Sequence, residues 1–135
     1  MELQAVIDEL RCALAGIAEP PLATYLFGSV ARGTARPDSD IDLGVLLGAP
    51  PPPGLLPRFE LEGQLERELG LPTQLVILDT APPDLVHRVL RDGVLVQERD
   101  RSARIRFEVA ARNAYFDILP FLQRYRQQRE ARKKP

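Results

Sequence analysis

The sequence predicts a small α/β domain: a mixed or parallel sheet of about four strands flanked by helices, followed by a long C-terminal helix. Three observations carry this. Apolar residues alternate between helical and strand-like spacing in the order αβαβαβαβα. Gly and Pro punctuate the junctions between those segments. The chain has 135 residues, of which 44% are hydrophobic, enough for one domain with its own core and no need of disulfides or a structural metal.

Taken in order, Leu3, Val6, Ile7, Leu10, Ala13, Leu14 and Ile17 recur at helical spacing, so residues 3–17 read as an amphipathic helix closing near Gly16. Cys12 would be a small packing residue beside its apolar face. Pro20-Pro21 breaks the pattern, and residues 22–27 (LATYLF) read as a buried strand ending in Gly28-Ser29. Residues 29–33 could form one helical turn, and Thr34 to Ser39 a loop with Pro37 and Asp38 as turn formers. Residues 40–47 (DIDLGVLL) read as the second strand. Pro50 to Pro53 form a stiff loop feeding a helix over 55–69, with Leu55, Phe59, Leu61, Leu65 and Leu69 on its apolar pattern. Gly70 and Pro72 stop that helix, and residues 73–78 (TQLVIL) give the third strand. A proline-started helix over 83–91, carrying His87 at its boundary, leads to a short fourth strand at 94–96. Residues 100–132 read as one long helix, which Pro120 should kink or end half-way.

The net charge of −1 conceals a division. Residues 1–98 hold 7 basic and 15 acidic side chains, whereas residues 99–135 hold 11 and 4. An acidic core over 1–98 thus carries a basic C-terminal helix over 99–135 within the same single domain, and such asymmetry points to a charged ligand or partner. One cysteine, Cys12, and one histidine, His87, exclude a disulfide framework and a Cys/His zinc site. They leave a Ser–His–Asp mechanism with no histidine but His87. No stretch approaches the ~20 apolar residues that span a bilayer, and the N-terminus lacks the features of a secretion signal. A cytoplasmic protein is expected.

The chemistry concentrates in residues 26–47, LFGSVARGTARPDSDIDLGVLL. Gly28-Ser29 follows a strand and opens a helical turn, where free backbone N–H groups and a hydroxyl can hold an anion. Asp40 and Asp42 are separated by one residue of a strand, so both project from one face with Cα atoms ~6.6 Å apart. Converging carboxylates suit Mg²⁺, which completes its octahedron with water and substrate phosphates. As an alternative, two acids could mark an ordinary solvated strand edge, but like charges on one face repel unless a cation or partner is near. Arg32 and Arg36 sit on the motif loop, where they can contact phosphates or simply face water.

The run GSVARGTARPDSDIDLGVLL resembles the nucleotidyltransferase superfamily, and within it the minimal nucleotidyltransferase branch of HEPN/MNT toxin–antitoxin type. The segment TQLVILDTAPPDLVHRVLRDGVLVQERD is similar to the branch's third strand, next helix and short closing strand, so the resemblance covers roughly residues 20–100. It implies the nucleotidyltransferase fold. It also implies that Gly28 and Ser29 grip the terminal phosphates of ATP and that Asp40 and Asp42 bind two Mg²⁺ ions; Arg32 is a further nucleotide-binding candidate by its place on the motif loop. The family's third carboxylate, on the next strand, aligns with Gln74, and an amide cannot act as general base at neutral pH. Asp79 is a poor substitute, lying on the opposite face and beyond the strand end.

The activity implied is transfer of AMP from ATP to a hydroxyl, a tyrosine of a HEPN-domain toxin partner, which would make this chain its antitoxin. The alternative is a catalytically weakened antitoxin or nucleotide-binding subunit that acts by docking, because of Gln74. An antibiotic-modifying enzyme fits less well, for want of a separate acceptor-binding domain. The aromatic stripe Tyr115, Phe116, Phe121 and Tyr125 fits packing against the body or another chain, including a homo-oligomer through the C-terminal helix. Direct nucleic-acid binding is not expected.

Overall fold

The computed structural model describes residues 2–48 and 56–133, with the backbone alone for Leu56 and Pro57. Helix α1 spans Leu3–Ala15, β1 Ala23–Phe27, α2 Gly28–Arg32, β2 Ile41–Leu46 and α3 Leu56–Leu69. They are followed by β3 Thr73–Ile77, α4 Pro83–Asp92, β4 Val94–Glu98 and α5 Arg101–Lys133. The predicted order is therefore present, with boundaries shifted by one or two residues. The proline run Pro50–Pro53 lies outside the described residues.

The sheet is mixed, in the order β3-β2-β1-β4. β1 runs antiparallel to both β2 and β4, while β2 and β3 are parallel, joined by α3 as a crossover. Phe27 lies opposite Asp42, Asp42 opposite Gln74, and Leu26 opposite Val94. These residues gather at one end of the sheet, and Ala23, Leu46 and Glu98 at the other. The outer edge of β3 is closed by α3: Thr73 N–H donates to Glu66 (3.0 Å) and Leu75 N–H to Glu62 (2.9 Å). Two glutamates thereby blunt an edge that would otherwise offer free donors to another strand.

Both faces of the sheet are buried, which alternation along β2 makes possible. Ile41, Leu43 and Val45 enter one cluster with Leu10 and Leu14 of α1 and Leu65 of α3. On the other face Tyr25 and Leu46 pack with Leu78 and with Val86 and Val89 of α4, and Phe107 and Ala111 of α5 lie against them. Gly44 belongs to this second face: a Cβ there would press on Val89 Cγ1 at 2.9 Å, so its absence lets α4 sit close to the sheet.

Several expectations need correction. Cys12 is exposed rather than packed, because the buried stripe of α1 passes through Leu10, Ala13 and Leu14. Phe59 is half exposed, with the Arg58 guanidinium over its ring. Helix α5 does not end at Pro120 but runs through it to Lys133. Proline removes the N–H that would bond to the Phe116 carbonyl, and both residues lie on the exposed side, where water can replace that donor. Of the aromatic stripe only Tyr115 packs on the body, stacked on His87 at 3.6 Å between centroids. Phe116, Phe121 and Tyr125 are exposed.

Candidate nucleotide and metal site

The site forms where β1 turns into α2 beside the start of β2. Gly28 has φ 77°, a left-handed conformation that disfavours side chains. It is also closed by tertiary contact, since a Cβ on Gly28 would collide with the Asp42 carboxylate and lie 3.2 Å from Asp42 Cβ. Any other residue would have to displace the acid. The opening of α2 carries no side-chain cap, so its first N–H groups and the neighbouring Ser29 hydroxyl are left for an outside acceptor. Gly33, at φ 75°, ends the turn, and Thr34 N–H secures it on the Ser29 carbonyl at 2.9 Å.

Asp42 is half-buried within β2, whereas Asp40 precedes the strand and is exposed. Burial raises the Asp42 carboxyl above its ordinary range, and the Asp40 charge raises it further; only Arg32 acts the other way. Two carboxylates thus converge, and among the described residues Arg32 alone opposes the rise at Asp42. Gln74 lies beside the pair, its Nε2 donating to Asp40 Oδ2 at 3.3 Å. Among the described residues no three His, Cys, Asp or Glu side chains cluster to hold a metal. The set is therefore two carboxylates and an amide, which fits a divalent cation less strongly than three carboxylates would.

The structure thus brings Gly28, Ser29, Asp40, Asp42 and Gln74 together, with Arg32 at the margin. Arg32 acts on two acids, since its charge also lowers the Asp92 carboxyl, second to the Asp92–Arg91 pairing. Asp92, at the end of α4, was not singled out by the sequence, and no local pattern could have done so. Asp79 stands apart at the other end of the sheet, where its carboxylate accepts Leu47 N–H (2.8 Å) and Gly48 N–H (2.9 Å). It is a structural cap.

Comparison with known proteins places this geometry. The family model described as Polymerase beta, Nucleotidyltransferase matches residues 17–102, from the end of α1 to the start of α5. The chain belongs to the polymerase beta nucleotidyltransferase family. Among its relatives is Protein adenylyltransferase MntA of Thermococcus cleftensis, 41% identical over 71 residues that cover 53% of this chain and 70% of that protein. A crystal structure of a toxin–antitoxin with AMP-PNP contains a chain that superposes with TM-score 0.72 at 26% identity, over 95% of this chain and 98% of that one. A complex of tri-AMPylated Shewanella oneidensis HEPN toxin with MNT antitoxin shows the same fold, with TM-score 0.64 at 24% identity over 93% of each chain. The nucleotidyltransferase superfamily and the minimal branch suggested by GSVARGTARPDSDIDLGVLL are thereby supported.

Proposed function

We propose that this nucleotidyltransferase is a magnesium-dependent protein adenylyltransferase that moves AMP from ATP to a tyrosine hydroxyl of a HEPN-domain toxin, and so acts as its antitoxin. The observation that carries this is the Gly28–Asp42 contact: a turn suited to phosphates is built directly against the Asp42 carboxylate, with no room for a side chain between. The relatives support the acceptor class, one being named a protein adenylyltransferase and another crystallised in a toxin–antitoxin with an ATP analogue.

Asp40 and Asp42 would hold Mg²⁺, which when bound neutralises triphosphate charge and polarises the α-phosphate. Ser29 and the first N–H groups of α2 would orient the terminal phosphates, and Arg32 would screen them at the rim. In the transfer, the acceptor oxygen bonds to the α-phosphorus, the bond from that phosphorus to pyrophosphate breaks, and pyrophosphate leaves. The hydroxyl proton cannot pass to the Gln74 amide. It leaves through solvent, which makes transfer by this chain slow.

A second reading rests on one observation, the Gln74–Asp40 hydrogen bond, which puts a neutral amide donor against a carboxylate that would hold metal. On this reading the chain binds nucleotide and partner without transfer. Incubation with labelled ATP, Mg²⁺ and a HEPN-domain protein of the same genome separates the two. Label on the partner's tyrosine that disappears in Asp40→Asn is the expected result. A tight complex that never becomes labelled, except with Gln74→Asp, would establish the second reading instead.

A further inference from the structure

Helix α5 begins at the end of the sheet opposite the site. Arg99 N–H donates to the Leu22 carbonyl at 2.8 Å, and Arg104 pairs with Glu98. It then climbs along the second face of the sheet, the face toward which alternation turns Asp42 and Gly44. Tyr25 donates to Glu108 mid-way (2.5 Å), and Tyr115 stacks on His87. A cavity between the helices is lined by Arg91, Glu108, Arg112 and Phe116. Arg91 lies two residues before the turn into Val94, which pairs with Leu26 at the site end. By Phe116 the helix has therefore reached the end of the sheet that holds the carboxylates.

It does not stop there. The 17 residues from Asp117 to Lys133 continue for about 25 Å at the α-helical rise, and every residue from Gln123 to Lys133 is exposed. This overhang displays Phe121 (65% exposed) and Tyr125 (59% exposed). Each ring is approached by a guanidinium, Arg124 at 4.9 Å from the Phe121 centroid and Arg129 at 5.9 Å from that of Tyr125. Arg126, Arg132 and Lys133 add to the charge, against two acids, Asp117 and Glu130. A helical stretch of this length without tertiary packing is marginal in water, and paired exposed aromatics of this kind mark a surface that something covers.

We infer that the overhang of α5, centred on Phe121 and Tyr125, is the docking platform that holds an acidic protein surface beside the nucleotidyl-transfer site. The inference rests on the proposed transfer to a protein hydroxyl, and it says where that protein sits. Charge selects this occupant over a second copy of the overhang, since two such segments would set basic stretches against each other. Position selects it as well, because the platform rises past the sheet end that holds Asp40 and Asp42, on the face toward which Asp42 turns. The arginines would turn from the rings to carboxylates of the partner, leaving the aromatics as apolar anchors.

The test uses the full chain, a HEPN-domain protein from the same genome and a fluorescent ATP analogue. Phe121→Ala with Tyr125→Ala keeps helix propensity, so circular dichroism should be unchanged and the analogue should bind as in wild type. Affinity for the partner should fall by roughly 30-fold or more, the effect of losing hot-spot aromatics. Labelling should fall at limiting partner and recover at saturating partner, a change in KM and not in kcat. Arg124→Glu with Arg129→Glu should weaken the complex in the same direction. Unchanged partner affinity would overturn the inference. So would conversion of a wild-type dimer to monomer by the aromatic variant, or displacement of the partner by an RNA oligonucleotide that binds the overhang. Loss of the complex in the aromatic variant while wild type never labels its partner would sink the transfer reading and leave the platform standing. Labelling that persists at limiting partner would do the reverse.

Discussion

The two ends of the sheet use the same side chain for opposite purposes. At the end where α5 begins, every carboxylate of interest has partners within the fold. Asp79 accepts two backbone N–H groups. Glu98 and Glu108 both receive Arg104, and Glu108 also receives the Tyr25 hydroxyl. Burial first, and the Glu108 carboxylate second, drive the Tyr25 phenol well above its ordinary range, against the opposing pull of Arg104. At the other end Asp40 and Asp42 repel, and among the described residues the only side-chain hydrogen bond to the pair is the long one from Gln74. A satisfied acid contributes stability, whereas an unsatisfied one is held at a cost in stability until a ligand supplies the missing charge.

That contrast can be broken from either side. The largest effect is expected from Gly28→Ala, which puts a methyl group into the Asp42 carboxylate at a left-handed backbone position. AMP transfer should fall by about 100-fold, the consequence of displacing a positioned group by an ångström, as measured by labelling at saturating ATP. Next is Asp79→Ala, which strands two N–H donors at the end of β2. Unfolding in urea should show a loss of about 2 kcal/mol, with nucleotide binding unchanged; altered nucleotide binding would place Asp79 in the site after all. The smallest effect has the opposite sign. Because the folded Asp42 carboxyl is raised above its unfolded value, its ionisation costs stability: the protein without metal is favoured at low pH and loses that advantage as pH rises through the elevated range. Asp42→Asn should therefore raise Tm at neutral pH in the presence of a chelator, by about 2–4 °C, while abolishing any stabilisation by Mg²⁺. A lower Tm would show that Asp42 serves the fold as well.

Much of the fold was legible in the residues, for reasons particular to each segment. β2 could be read from Ile41, Leu43 and Val45 alternating with Asp42 and Gly44, because period-2 burial is a local property of a strand between two covered faces. α4 could be read from Pro83 and the turn at Gly93. α5 was legible as a helix but not in its packing: Phe121 and Tyr125 fall at helical spacing with Phe107 and Ala111, yet the body they would pack against ends first. Cys12 failed for a related reason, since one residue of rotation separates the buried stripe of α1 from its exposed flank.

By itself the sequence determined the order of elements, the closeness of Asp40 to Asp42, the turn at Gly28-Ser29 and the amide at Gln74. Each depends on neighbours along the chain, whose relation is set by covalent spacing and backbone periodicity. Only the tertiary structure decided that Asp42 closes over Gly28, that Gln74 meets Asp40, that Asp79 is a cap and that α5 outruns the sheet. Those relations depend on strand register and on the length of one element against another. They arise from pairing between residues tens of positions apart, which no local period encodes.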